Sequence, residues 1–363
     1  MSIPTLRLKP DFAATATRFE AWWQGELADR LPITLPGEPL ASCDDAPPPR
    51  AFASLREQWL DVPSNVERLT HALVQRTWPG DALPVLMPNI GPELTGTLYG
   101  CELEFGETTS WSLPVVHELD DWHAILDREP DFTNVYWRTI EAMTQLAIDR
   151  NDGRYLVGLP DLHGNFDILA SLREPESLCV DLMDDPALIA RIAMHLADGY
   201  NQAFERMYRM ICATGSGGAG STTWTRMYHD GPAYLPSCDF WCMISHEQAR
   251  DLALPAILEE CKRLERTLFH LDGPQALRHL DLLLERPEIH AIQWVYGAGN
   301  GPAMKWIDVY KRVLAAGRSV QVNCEDEADA AAVLRELGPQ GVWLCIDDIK
   351  GAAPDAVVER LGR

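Results

Sequence analysis

The sequence predicts an α/β fold, a (β/α)8 TIM barrel with an N-terminal helical extension. From Ala82 onward, short apolar runs alternate with stretches whose apolar residues recur at helical spacings. The last four runs begin at residues 267, 291, 319 and 341, a repeat of roughly 22–28 residues that is typical of such barrels. A doubly wound sheet is the alternative, but it usually carries a glycine-rich phosphate loop after its first strand. Gly215–Gly220 follows a helical stretch and precedes an apolar run, so we interpret it as a linker, with a flexible active-site loop as the alternative.

The N-terminal part, residues 1–80, is expected to be a helical cap on a barrel that spans residues 81–363, within one structural domain overall. A helix predicted over Thr17–Ala28 places Phe19, Trp22 and Trp23 on an apolar face that would pack against the barrel. A proline-rich segment at residues 36–52 separates this helix from the rest of the chain.

Seven apolar segments are expected to form strands: ALPVLM, RYLVGLP, TTWTRMY, TLFHLD, AIQWVY, SVQVNC and GVWLCID. Helices are predicted over Pro186–Cys212, His246–Arg266, Gln275–Glu285, Met304–Ala316 and Glu327–Leu337. Ser245 and Gln248 have the spacing of a capping box at the start of one helix, and Gly317 is suited to end another.

The composition indicates which classes of partner and which cellular compartment are expected. The formal net charge is −23, from 54 acidic and 31 basic residues, which argues against nucleic acid and anionic membrane surfaces as partners. No apolar stretch reaches the roughly 18–20 residues needed to cross a bilayer, and the N-terminus lacks the apolar core of a signal peptide. The nine cysteines show no disulfide-framework spacing. We therefore expect a cytoplasmic protein with reduced thiols.

Polar residues stand where the predicted strands end, and barrels of this type carry their chemistry at the carboxyl ends of the strands. Alternation in TLFHLDG gives Phe269 and Leu271 one face and His270 and Asp272 the other. The apolar pair suits the helix layer, so His270 and Asp272 should face the barrel axis. By the same alternation Trp343, Cys345 and Asp347 face inward from GVWLCID, and Gln321, Asn323 and Glu325 face inward from SVQVNCED.

The spacing of His270 and Asp272 leaves three interpretations open. They could be an acid–base pair, half of a metal site, or a structural pair that is hydrogen-bonded at a strand end. Other polar and aromatic residues near strand ends could share a pocket with them. These candidates are Asp161, His163, Trp224, Arg226, Tyr228, His229, Cys238, Asp239, Trp241, Trp294 and Tyr296.

Several segments resemble the uroporphyrinogen decarboxylase-like superfamily, and within it the branch near corrinoid- and zinc-dependent methyltransferases. The segments are RFEAWWQGELADRLPITL, PNIGPELTGTLYGCELEFGETTSW, HGNFDILASLREPESLCVDLMDDP, SCDFWCMISHEQARDLALPAILEECKRL and, most specifically, LFHLDGPQALRHLDLLLERPEIHAIQWVYGAGNGPAMKWIDVYKRVLAAG. The resemblance covers most of the chain and also implies a (β/α)8 barrel. The arginine-rich N-terminal loop with which uroporphyrinogen decarboxylases grip propionate groups is missing, and a charge of −23 suits a polycarboxylate poorly. Decarboxylation of uroporphyrinogen is therefore not expected.

The resemblance implies a methyltransferase that moves a methyl group between a small methylated substrate and a corrinoid or thiol acceptor. Zinc methyltransferases have His-x-Cys where this chain has His270 and Asp272, so the implied zinc ligands are His270, Asp272 and Cys345, with Asp347 as the alternative third ligand. The implied partners are a small-molecule substrate, a corrinoid protein and a second copy of the chain. Two other functions stay open: a metal-free decarboxylase or lyase that uses His and Asp as acid–base groups, and a non-catalytic barrel that binds a small ligand. The candidate catalytic residues are His270, Asp272, Asp239 and His163, and the candidate substrate-binding residues are Trp224, Tyr228, Trp241, Trp294, Tyr296 and Asn323.

Overall fold

The fold is mixed α/β, and the computed structural model describes residues 5–40, 50–212 and 220–363. The predicted linker Gly215–Gly220, apart from its last residue, lies outside the described residues, and so does the middle of the proline-rich segment. The strands are β1 Ile33–Thr34, β2 Val85–Leu86, β3 Glu102–Phe105, β4 Ser110–Leu113, β5 Leu156–Val157, β6 Ala233–Tyr234, β7 Arg266–Asp272, β8 Ala291–Val295, β9 Ser319–Asp326 and β10 Val342–Asp348. The helices are α1 Phe12–Trp23, α2 Leu55–Leu60, α3 Val62–Val74, α4 Trp122–Leu126, α5 Val135–Asp149, α6 Asn165–Arg173, α7 Pro175–Asp184, α8 Pro186–Cys212, α9 His246–Gln248, α10 Leu254–Cys261, α11 Leu280–Leu284, α12 Ile307–Ala315, α13 Glu327–Leu337 and α14 Pro354–Leu361.

The central element is a curled six-stranded parallel sheet in the order β1-β10-β9-β8-β7-β6. A second parallel pair joins β2 to β5, and β3 and β4 form an antiparallel hairpin. The arrangement is compatible with a TIM-like barrel. Within the described ranges, however, no ladder joins the six-stranded sheet to the β2–β5 pair, so the eight-stranded closure that the sequence predicts is not confirmed. Strand β1, which falls inside the predicted N-terminal extension, is an edge strand of the main sheet and pairs with β10.

The predicted alternation of strand faces is confirmed by two separate apolar clusters. Phe269 and Leu271 are fully buried in a large cluster with the surrounding helices, together with Val342, Leu344 and Ile346. Residues of the opposite parity, Leu268 and Trp343, belong to a smaller cluster that also contains residues of β2, β5 and α1. The large cluster is therefore the layer between strands and helices, and the smaller one fills the inside of the curled sheet.

Helix α1 closes the inside of the sheet at the amino ends of the strands. The indole Nε1 of Trp22 donates to the backbone oxygens of Val320 and Gly341, at 3.3 and 3.1 Å, next to the starts of β9 and β10. Phe19 packs edge-on against Trp343 with ring centroids 4.9 Å apart. The helix runs from Phe12 to Trp23 rather than over Thr17–Ala28, because Gly25 takes a positive φ of 68° and turns the chain away.

A buried ion-pair network fixes α1 to the main sheet. Asp81 has no exposed surface and accepts hydrogen bonds from Thr15, from the Ile33 amide and from the guanidinium groups of Arg18 and Arg30. All four donors lie in the N-terminal part of the chain. The carboxylate therefore joins α1, the turn after it and β1 at one point.

Most predicted elements form, with local differences. Helices α8 and α13 have the predicted bounds, and the capping box at Ser245 and Gln248 is present with both hydrogen bonds at 3.1 Å. The helix predicted over His246–Arg266 ends at Cys261 and contains a π-helical turn at Ala249–Ala253. Pro255, which has no N–H to donate, follows two residues after the end of this turn.

One predicted strand is wrong. The segment TTWTRMY forms a turn in which the Arg226 amide donates to the Thr223 oxygen, and Arg226 itself has a φ of +57°. A strand cannot include a residue with this backbone conformation. The next parallel strand is instead β6 at Ala233–Tyr234, which the sequence did not predict. Among the described helices, none is both long and apolar enough to cross a membrane.

Candidate active site

The carboxyl end of β7 brings together the ionisable residues that the sequence singled out. His270 and Asp272 are both half-buried, and the His270 amide donates to the Pro236 oxygen at 2.9 Å. This bond, with the bridge between Ser237 and His270, extends the pairing of β6 and β7 beyond the two residues of β6. The chain after β6 therefore runs alongside the His270 side chain.

A buried amide on the neighbouring strand orients the His270 ring. His270 pairs with Gln293 of β8, and the Nδ1–H of His270 donates to the Gln293 Oε1. The amide oxygen can only accept, so this bond assigns the proton of a neutral imidazole to Nδ1. The lone pair of Nε2 is then free to accept a proton or to bind a metal.

Three side chains converge at this point. A donor atom from each of Asp239, His270 and Asp272 lies within 4.8 Å of the donor atoms of the other two. Within the part of the chain that the structure describes, this is the group of three whose spacing could hold a metal ion, and neither Cys345 nor Asp347 belongs to it. One nitrogen and two carboxylates form a donor set suited to a divalent cation such as Zn²⁺, with room for a further ligand.

The carboxylate of Asp167 holds the loop that carries Asp239. Asp167 lies in the first turn of α6 and accepts hydrogen bonds from the Asp239 amide at 3.0 Å and the Phe240 amide at 2.9 Å. The Ser237 hydroxyl also donates to it, at 3.0 Å. One buried side chain thus satisfies both backbone donors at the start of a short 3-10 helix and fixes the direction of Asp239.

A second buried carboxyl, that of Glu260, stabilises this arrangement. Glu260 of α10 accepts hydrogen bonds from the backbone amide and the side-chain amide of Asn165, the latter at 2.9 Å. Asn165 also donates to the Ser237 oxygen at 2.7 Å. A Cβ on Gly164 would lie 2.3 Å from Glu260, so this approach needs a glycine. Burial raises the pKa of Glu260 to about 8.

Burial and neighbouring charges shift the pKa values of three ionisable groups of the site. Asp239 is an exposed residue, but it also lines a cavity. Desolvation there and the nearby charge of Asp167 raise its pKa to about 6. Burial likewise raises the pKa of Asp161. Burial opposes the charge on His163, but the surrounding carboxylates, led by Asp161, outweigh it and raise the pKa of His163. The site therefore contains a carboxyl with a pKa of about 6 and an imidazole whose raised pKa favours its protonated form.

Two cavities lie near this cluster and share Trp224. The smaller has a volume of about 200 Å³ and is lined by Asp161, Leu162, His163, Trp224, Leu235, Ser237, Asp239 and His270. The larger, of about 570 Å³, lies under α2, α3 and the β3–β4 turn and shares Trp224 as a wall. The Trp224 ring packs edge-on against His270 with centroids 5.2 Å apart. Of the sequence-predicted site residues, Asp161, His163, Trp224, Asp239 and His270 line the smaller cavity, and Asp272 adjoins it through the cluster.

The remaining predicted substrate-binding residues lie elsewhere. Trp241 and Trp294 are fully buried in the layer between strands and helices, where Trp241 packs on Phe269 and Trp294 on Trp306. Tyr228 is buried inside the sheet near α1. These three side chains line neither cavity.

Residues from the later strands also stand apart from the cluster. The Tyr296 hydroxyl donates to the backbone oxygen of Asn323 at 3.0 Å, and neither residue lines either cavity. Cys345 faces the inside of the sheet but accepts a hydrogen bond from the Gln321 amide at 3.1 Å. Burial raises the pKa of the Cys345 thiol to about 12. The group of three that the structure brings together thus contains Asp239 beside His270 and Asp272, whereas the sequence suggested Cys345 as the third ligand.

Sequence reasoning missed Gln293, Asp167 and Glu260, which position the cluster. A signal for Gln293 was present, because alternation in AIQWVY sets Gln293 on the face opposite Ile292 and Trp294. No sequence signal pointed to Glu260, since a glutamate inside a helix is normally exposed.

No family model matches the sequence, and no curated protein matches it either. Among solved structures, the chain is similar to a methyltransferase from Methanosarcina mazei, with a TM-score of 0.57 and 13% sequence identity. The alignment covers 94% of this chain and 96% of that chain. At this identity the similarity shows a shared fold over nearly the full length of both chains.

Proposed function

We propose that the chain is a metal-dependent methyltransferase that moves a methyl group from a small methylated substrate to a corrinoid or thiol acceptor. The observation that carries this proposal is the convergence of Asp239, His270 and Asp272 at the carboxyl end of β7, beside a cavity of about 200 Å³. The full-length similarity of fold to a protein named as a methyltransferase supports the reaction class. The family resemblance of the sequence supports the choice of acceptor.

The donor set fits a divalent cation, zinc among others. Asp239, His270 and Asp272 would hold it, with His270 contributing Nε2 because Nδ1 is bonded to Gln293. A bound cation supplies Lewis acidity at a heteroatom of the substrate or the acceptor. Three protein ligands would leave room for a ligand from the substrate or the acceptor, as in catalytic rather than structural zinc sites.

The other residues of the cavity bind, orient and handle protons. Trp224 forms the wall between the two cavities and limits how far a substrate can turn. His163, whose pKa is raised, carries a proton that it can donate to the heteroatom from which the methyl group leaves. Asp161, on the same wall, stabilises the charged form of His163.

A second candidate is a metal-free lyase or decarboxylase. The observation that favours it is the pKa of about 6 for Asp239, which makes this carboxyl a proton donor near neutral pH without any cation. In this case His270 and His163 would act as the partner base and acid.

Metal binding separates the two candidates. The protein is purified without added metal, dialysed against zinc and analysed for metal content, alongside His270→Ala, Asp239→Asn and Cys345→Ser. We expect about one zinc per chain in wild type and Cys345→Ser, and loss of zinc in the other two variants. Equal zinc content in all four proteins would overturn the proposed site.

The reaction is tested with free cob(I)alamin as acceptor and a panel of methyl ethers, methylamines and methyl thioethers as donors. Formation of methylcobalamin is followed by absorbance. Transfer by the wild type that His270→Ala lacks supports the proposal. A protein that binds zinc and transfers methyl from none of the donors, to cobalamin or to a thiol, would contradict the methyltransferase assignment.

A further inference from the structure

The larger cavity shares Trp224 with the smaller one, but none of Asp239, His270 and Asp272 lines it. It is lined by residues of α2, α3, β2, the β3–β4 turn and the segment after Thr222. Its volume of about 570 Å³ is well above that of the smaller cavity, and is large enough for a ligand of drug-like size. Its walls are aromatic at Trp59 and Trp224, and two of its lining residues are arginines, Arg68 and Arg226.

Arg226 is held in place by its backbone and by Trp78. Its φ of +57° is uncommon for a residue other than glycine, and such conformations often occur at functional sites. The guanidinium lies over the Trp78 ring, 5.1 Å from the centroid. Arg226 is half-buried and forms no ion pair with any carboxylate in the described ranges. Burial and the charge of Arg76 lower the pKa of Arg226, so its positive charge is not compensated by the protein.

Arg68 brings a second charge to the same cavity. It stands on α3, and its guanidinium contacts the Asn65 side-chain oxygen, at 3.4 Å. The lining also contains one carboxylate, Glu107, which forms no ion pair with either arginine among the described residues. In a chain with 54 acidic residues, two arginines of one cavity thus stand without an ionic partner in the part that the structure describes.

Polar groups beside the arginines complete an anion-binding surface. The side-chain oxygen of Asn89 accepts from the Gly91 amide at 2.8 Å, which directs the NH₂ group of Asn89 away from that contact as a donor. Gln58 and Thr108 line the same cavity. Guanidinium groups with nearby amides and hydroxyls are the usual partners of carboxylate, sulfonate and phosphate groups.

We infer that this cavity binds the oxyanion end of the substrate, through Arg226 and Arg68, while the methylated end passes Trp224 to reach Asp239, His270 and Asp272. The substrate class is therefore a small methylated compound that also carries a carboxylate, sulfonate or phosphate group. This inference deepens the proposed function and rests on it for the reaction, but anion binding can be tested without it.

The test is isothermal titration calorimetry of the purified full chain with sodium acetate, sodium methanesulfonate and sodium phosphate. Each titration is compared with sodium chloride at equal ionic strength. The variants are Arg226→Gln, Arg226→Lys and Arg68→Gln, and the matched control is Arg335→Gln, an exposed arginine of α13. Thermal unfolding of each protein establishes that it is folded.

We expect at least one of the three oxyanions to bind wild type and Arg335→Gln equally. Arg226→Gln should weaken that binding about 10-fold or more, since a hydrogen-bonded guanidinium–oxyanion contact is lost. Arg226→Lys should retain part of it, and Arg68→Gln, on the exposed surface of α3, should weaken it without affecting folding. The anion that binds tightest identifies the chemical class.

Two results would overturn the inference: no oxyanion binding beyond that of chloride, or equal affinities for Arg226→Gln, Arg68→Gln and Arg335→Gln. Zinc content measured on the same samples keeps the two proposals apart. Oxyanion binding without zinc binding contradicts the metal site and leaves the anion site standing, whereas zinc binding without oxyanion binding does the reverse.

Discussion

Substitution of Gln293 by methionine should weaken metal binding without removing any ligand. Gln293 is buried, with 3% of its surface exposed, and its Oε1 accepts the Nδ1–H of His270. Methionine has a similar length but offers no comparable acceptor. The His270 ring then loses the bond that fixes both its orientation and its tautomer, so Nε2 should be less well placed to bind a cation together with Asp239 and Asp272.

The expected magnitude depends on the type of contact. Loss of a hydrogen-bond partner of a metal-ligating histidine typically weakens metal affinity about 10- to 100-fold. At about 1.4 kcal/mol per tenfold change, this corresponds to about 1.4–2.8 kcal/mol of binding free energy. Direct removal of His270 would abolish binding instead, because only two carboxylates would remain.

The assay is competition for zinc against a chromophoric chelator, and the structure provides a matched control. Gln321 pairs with Gln293 on the adjacent strand β9 and is equally buried, but its amide contacts Cys345 rather than a histidine. Gln321→Met should therefore leave zinc affinity unchanged. An equal loss of affinity in both variants would refute the assignment, since the loss would then not depend on the bond between Gln293 and His270.

Two further predictions concern stability. Asp81→Asn should destabilise the protein by about 3–5 kcal/mol, because the buried guanidinium groups of Arg18 and Arg30 lose their shared counter-ion. Asp29→Asn, which removes the exposed partner of the same Arg18, should cost less than about 1 kcal/mol in the same urea titration, and equal losses would contradict the buried network. For Glu260, the folded-state pKa of about 8 lies above the ordinary value of 4.5, so the folded state binds the extra proton and wild-type stability falls as the pH rises between these values. Glu260→Gln does not titrate, so its stability relative to wild type should rise across this window, by at most about 5 kcal/mol, and a pH-independent difference would contradict the raised pKa.

The strand faces could be predicted from the sequence because burial enforces alternation. In β7, β9 and β10 the apolar parity meets the helices and the other parity faces inward, as expected. The same rule applied to β8 would have placed Trp294 with Ile292 in the helix layer. The number of tryptophans suggested an aromatic pocket, but the indoles of Trp241 and Trp294 are packing residues.

The short strands could not be predicted in the same way. Strands β1 and β6 have two residues each, too few to show a period, and they exist because longer neighbours pair with them. The segment around Arg226 has the β-branched and aromatic composition of a strand, yet a turn and the Trp78 contact determine its conformation. Tertiary contacts overrode local propensity at the segment that lines both cavities.

The third member of the cluster depended on a contact between distant parts of the chain. Sequence alternation brings His270 and Asp272 together, since both lie on β7. Asp239 lies beside them in a loop that is held by Asp167, 72 residues earlier, which accepts a hydrogen bond from the backbone amide of Asp239. A side chain placed by a helix on the other side of a loop leaves no periodic signal in the sequence.

The charge of the whole chain and the charge of the larger cavity have opposite signs, so the two charges affect different kinds of ligand. A net charge of −23 describes the surface, whose field is screened over about 8 Å at physiological ionic strength. Arg226 and Arg68 act on a ligand at contact distance, well inside this screening length. The net charge therefore argues against nucleic acid and anionic membranes, which meet the surface over a large area. It does not argue against a small anion. Arg226 and Arg68 line the larger cavity, whereas the smaller cavity is lined by no arginine among the described residues, so the two linings together favour one orientation of the substrate, with the oxyanion against the arginines.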